Sequence, residues 1–144
     1  MSKFLMIIKQ IVAAAGQTHA FEHDDHFHLR LEHPVYMPLV IESWETEEPY
    51  CGEKRVVSVA HYFKQEGDLI ADPEVLITDH GDPIHLQQVL CFTRVMRLGP
   101  RGTVCNDRAR RSVEELLRIW ALNLREQGWI ETAASYKNEP AAGA

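Results

Sequence analysis

A chain of 144 residues, 45% hydrophobic and 25% charged, is long enough to bury a core and far from the composition of disordered chains. Its net charge of −6 argues against non-specific nucleic-acid binding over the whole surface. No segment approaches the roughly 20 apolar residues of a membrane span.

The first element reads as a helix. Phe4, Ile7, Ile8, Ile11, Val12 and Ala15 recur at helical spacing, and Gly16 is placed to end it. The same stretch is too short for a secretory signal, since Lys9 and Gln10 cut its apolar run below the roughly 7–15 residues required. His19 to Asp25 reads as a polar loop. From His26 the period becomes two: Phe27, Leu29 and Leu31 alternate with polar residues, as in a strand with one wet face. Met37 to Trp44 is a second strand, with Pro38 pushing its start towards an edge. Glu45 to Glu53, charged and bearing Pro49 and Gly52, reads as a loop.

Arg55 to Lys64 is the clearest strand, with Val57, Val59, His61 and Phe63 on one face. Gln65–Asp68 turns the chain, and Leu69 to Thr78 returns as a hairpin, broken at Asp72-Pro73. Asp79 to Pro83 is a further turn. Ile84 to Leu98 is ambiguous between helix and strand, and the β-branched and aromatic residues of Val89–Val95 favour strand. Ser112 followed by Glu115 has the form of a capping box. Beyond it Val113, Leu116, Leu117, Trp120 and Leu124 form a helical stripe closed by Gly128, with Trp129 folding back.

These elements define an α+β protein: an antiparallel sheet of four to five strands packed against N- and C-terminal helices. Residues 1–131 form a single domain, and 132–144 a small, polar, disordered tail. Both helices lie on one face, so that Ile7, Ile11, Leu117, Trp120 and Leu124 meet Leu29, Leu31, Val57 and Val59. The first helix is apolar enough to serve a homodimer interface equally well.

Charge is unevenly placed. Residues 19–82 hold fifteen acids against four bases, whereas 83–131 hold eight arginines against five acids. Such halves either compensate each other across the fold or expose a basic surface to an anionic partner. Cys51, Cys91 and Cys105 are odd in number and form no Cys-x-x-Cys spacing, which suits reduced thiols in a cytoplasmic protein.

Ala60-His61-Tyr62, then Gln65-Glu66-Gly67-Asp68-Leu69 and Asp72-Pro73-Glu74, resemble a family of small uncharacterised bacterial proteins. These occur on phages, plasmids and integrated conjugative elements. Trp120, Asn123, Leu124, Gln127, Gly128 and Trp129 resemble the closing helix of the same family. The resemblance spans residues 27–131 and implies a mobile-element setting without any activity.

Three constellations carry possible chemistry. His61, Tyr62, Asp68, Asp72 and Glu74 supply a base and carboxylates for acid–base or metal-dependent catalysis, or simply tie down a turn. His26 and His28, about 7 Å apart on one strand face, suit a metal ion, although no known zinc spacing is present. Arg101, Arg108, Arg110 and Arg111, with Arg94 and Arg97, offer an anion-binding segment, without any accompanying nucleic-acid motif. Phosphate-binding glycine loops and nucleophile elbows are absent, and no motif calls for a cofactor. The expectation is a non-enzymatic accessory protein that contacts another protein, with metal-dependent catalysis or nucleic-acid contact as alternatives.

Overall fold

The computed structural model describes residues 2–137. Helix α1 (Lys3–Ala14) starts at Ser2, whose hydroxyl accepts the Leu5 N–H at 3.1 Å, and ends at Gly16 with φ 74°. Its wide apolar face, Phe4, Leu5, Ile7, Ile8, Ile11 and Val12, is buried. A second helix, α2 (Thr18–His23), replaces the expected loop. Phe21 explains it: the ring is buried, and the Phe21 carbonyl accepts from Ser43 Oγ at 2.7 Å and from the Arg55 guanidinium at 2.8 and 3.1 Å. One anchored aromatic among histidines leaves no periodic signal in a six-residue helix.

Strands β1 (His26–Leu31), β2 (Leu39–Tyr50), β3 (Glu53–Gln65), β4 (Asp68–Thr78), β5 (Pro83–Gln88) and β6 (Cys91–Arg94) pair in sequence order as an antiparallel sheet. The supposed loop over residues 45–53 is a hairpin instead. β2 runs on to Tyr50, and Cys51 and Gly52, at φ 51° and 79°, make the two-residue turn that suits twisted strands. This arm is mostly exposed, so it shows charge where a core strand shows apolar alternation. Nor does Asp72-Pro73 end β4. Ala60 pairs with Glu74 and Tyr62 with Ala71, so Asp72 and Pro73 bulge opposite His61 and the strand continues.

The segment from Ile84 is extended, as its β-branched content indicates, but it turns at the exposed pair Val89-Leu90. A separate hairpin follows, β7 (Met96–Gly99) and β8 (Gly102–Cys105). β7 contacts both β2 and β5, which are not neighbours, so the hairpin lies across the sheet. Its Thr103 hydroxyl accepts the Cys51 N–H at 2.8 Å.

Helix α3 (Asp107–Glu126) starts earlier than the Ser112/Glu115 pair suggests. Asn106 is the N-cap, its Oδ1 accepting the Ala109 N–H at 3.0 Å, so Ser112 lies inside the helix. Arg110 and Arg111 are therefore helical too. Gly128, at φ 81°, closes α3. Instead of folding back at a chain end, Trp129 opens a last helix, α4 (Trp129–Lys137), and is fully buried with Ala133. Residues 132–137, expected in a disordered tail, are thus helical; the rest of that tail lies outside the described residues.

The helices occupy one face of the sheet. His61, in line with Val57 and Val59, lies 5.6 Å from the Trp120 ring and 5.7 Å from the Trp129 ring, and Trp120 lies 5.0 Å from Phe4. Ile7, Ile11, Leu117, Trp120 and Leu124 join Leu29, Leu31, Val57 and Val59 in one buried cluster, as the alternation requires.

Candidate functional site

The five residues around the β3–β4 hairpin separate into four places. His61 faces the helices and is only 9% exposed. The Trp120 indole N–H donates to its Nε2 at 3.3 Å, which leaves Nδ1–H to donate to the Met37 carbonyl at 3.2 Å. Burial holds its pKa below the ordinary histidine value, against the opposing pull of the Met37 and Pro38 carbonyls. A neutral imidazole with both nitrogens occupied ties β3 to α3. Asp68 pairs with Gln65 at the exposed hairpin tip, and Asp72 sits in the bulge. Tyr62 and Glu74 share the opposite, helix-free face of the sheet, so the fold does not gather them with His61.

That helix-free face is ordered by register. One row crosses all six strands as His28, Glu42, Ser58, Leu76, His85 and Arg94; the next runs Arg30, Val40, Ala60, Glu74, Gln87 and Phe92. Small side chains, Ser58 and Ala60, sit on β3 at the centre, and the carboxylates of Glu42 and Glu74 rise from the strands on either side. The register thus sets a low acidic trough at the centre of this face, with Ala60 and Val40 buried beneath their neighbours. Burial, then repulsion from Glu42, lifts the Glu74 pKa above the usual carboxylate value. Burial, then Glu74 and Glu42, likewise lift the Tyr62 phenol. Glu74 has no cationic partner among the described residues.

The rim is aromatic and basic. His26 and His28 approach the same Glu42 oxygen, at 3.9 and 3.6 Å, and His26 stacks on Trp44 with ring centroids 5.7 Å apart. Both imidazoles thus share the face expected of them. Among the described residues, however, no group of three or more His, Cys, Asp or Glu side chains is arranged to hold a metal ion. At the other edge His85 lies 5.2 Å from Phe92, over which Arg94 is placed at 5.3 Å. Burial, then the Arg94 charge, lowers the His85 pKa. Glu42, Ser58 and His85 were not among the residues singled out from sequence, and Ala60 appeared only in the family-like motif, because only the strand register brings them together.

The arginines disperse. Arg97 lies on β7, Arg101 in the β7–β8 turn, and Arg108, Arg110 and Arg111 on the first turns of α3. Arg110 is engaged by Asp107 at 3.2 Å and Glu114 at 3.9 Å. Arg101, Arg108 and Arg111 are exposed.

Together these features define an α+β domain with helices on one sheet face and a polar, half-buried surface on the other. The chain belongs to the family described as a domain of unknown function, DUF6908, whose model matches residues 6–130. No curated protein and no solved structure matches it. Among the described residues, no helix is long and apolar enough to cross a membrane.

Proposed function

We propose that this protein is a non-enzymatic binding module that contacts another protein, and that the trough over Ser58 and Ala60 receives a basic side chain of that partner. The carrying observation is Glu74, a half-buried carboxylate raised in pKa, set beside a second carboxylate and without a cationic partner among the described residues. Two carboxylates flanking a groove floored by small residues suit a guanidinium or ammonium group, which accepts no hydrogen bonds and gains from paired anions. Trp44 and Tyr62 add aromatic surface for its stem. The resemblance to proteins of mobile elements supports an accessory role in such a setting.

The test is a capture experiment from lysate of the source organism, treated with nuclease, using the wild-type chain and the Glu42→Gln/Glu74→Gln double variant. A protein that survives nuclease and is lost with the variant supports the reading. A bound set that vanishes with nuclease, or one that the variant retains in full, contradicts it.

A further inference from the structure

The helical layer presents a second surface of opposite sign. Between α1 and α3 runs a groove of about 340 Å³. Its floor is Ile7 and Ala121, both buried, and its walls are Met6 and Leu122, which are 45% and 50% exposed. Ile119, three residues before Leu122 and 47% exposed, lies off this groove, in a separate depression with His61 and Pro73. A half-exposed Met and Leu lining one groove between adjoining helices form a shared apolar patch rather than scattered singles.

The rim of this groove is cationic: Lys3 from α1, Arg118 and Arg125 from α3. Lys3 and Arg125 have no carboxylate partner among the described residues; Arg125 reaches only the Gln10 side-chain oxygen, at 3.5 Å. Arg118 bonds Glu115 at 2.7 Å, but both side chains are more than half exposed, and such surface pairs are weak enough to exchange.

We infer that this groove docks an acidic amphipathic helix of a partner protein, with apolar anchors against Met6 and Leu122 and carboxylates against Lys3, Arg118 and Arg125. Helices bind in this way through residues spaced i, i+3, i+4 and i+7 on an apolar face. The charge of the rim selects the acidic class over the basic one. The inference stands apart from the trough on the sheet. If both hold, the protein bridges a basic element on one face and an acidic helix on the other.

The probe is a fluorescently labelled synthetic helix of about 18 residues, with Leu at i, i+3, i+4 and i+7 and Glu on its other positions. A second peptide carries Lys in place of Glu. Anisotropy is expected to report binding of the acidic helix alone, weakened about tenfold by Leu122→Ser and by Arg125→Glu. Both positions are exposed, so circular dichroism should show each variant folded. Glu42→Gln/Glu74→Gln, on the far face, should leave this binding unchanged, which separates failure here from failure of the sheet-face reading. Equal binding of the Lys peptide, insensitivity to Leu122→Ser and Arg125→Glu, or a homodimer in solution that Leu122→Ser dissociates, would each overturn the inference.

Discussion

At the scale of single residues, three buried or half-buried groups set pH trends, two histidines of one sign and a glutamate of the other. The folded-state pKa of His61 lies below its unfolded value, so the neutral form is the one that folding favours. That contribution is complete above the unfolded pKa of about 6.5 and declines as pH falls below it. His85 is shifted the same way. Urea unfolding between pH 8 and 5 should therefore show stability falling below about pH 6.5, with part of the slope removed by His61→Gln and most of it by His61→Gln/His85→Gln. An unchanged slope in the double variant would contradict this. Glu74 has the reverse sign: its folded pKa is raised, so it favours folding below its unfolded pKa and opposes it as the pH rises through the folded value. Glu74→Gln should raise Tm at pH 7.5 and give no gain near pH 4. A residue that weakens the fold at neutral pH fits a binding role better than a structural one.

At the scale of elements, the start of α3 distinguishes two readings of one stretch. With Asn106 as cap, Asn106→Ala should cost about 1 kcal/mol in denaturant unfolding, whereas Ser112→Ala should change stability by no more than about 0.5 kcal/mol. The opposite ranking would restore the capping box at Ser112. The true cap was legible only weakly, because Asn106 is followed by six charged or small residues and the apolar stripe begins at Val113. α4 was hidden for a similar reason: it is anchored by Trp129 and Ala133, both fully buried, in a segment otherwise small and polar. Trp129 packs on His61 and donates its indole N–H to the Gln127 side chain at 3.0 Å. Trp129→Ala should cost about 3–5 kcal/mol, read in the same unfolding assay. β1 and β3 were plain from alternation, because each has one face in the core. The β2–β3 arm was not, since a hairpin exposed on both sides carries no hydrophobic period and its Cys-Gly turn is a less familiar pair than Asn-Gly.

At the scale of the molecule, the acidic half of the chain builds β1 to β4 and the arginine-bearing half includes α3. The two signs do not simply cancel. The carboxylates of Glu42 and Glu74 gather on the helix-free face, while Arg118 and Arg125 flank an apolar groove among the helices. The candidate site was legible only in fragments. Tyr62, Glu74, His26 and His28 were marked by type, yet His61, the most suggestive of the set, belongs to the core. What joined Tyr62 and Glu74 to Glu42 and His85 is cross-strand register, which depends on turn geometry and on the bulge at Asp72-Pro73. Neither is encoded in residue spacing along one strand.

The most direct test of the central claim is a titration of isotope-labelled protein with a short arginine-rich peptide, followed through backbone amide resonances. Saturable shifts at Glu42, Ser58, Ala60 and Glu74 are expected, weakened by added salt and lost in Glu42→Gln/Glu74→Gln. Shifts confined to other surfaces, or shifts at the trough that persist in the double variant, would contradict a role for this face in binding a basic partner.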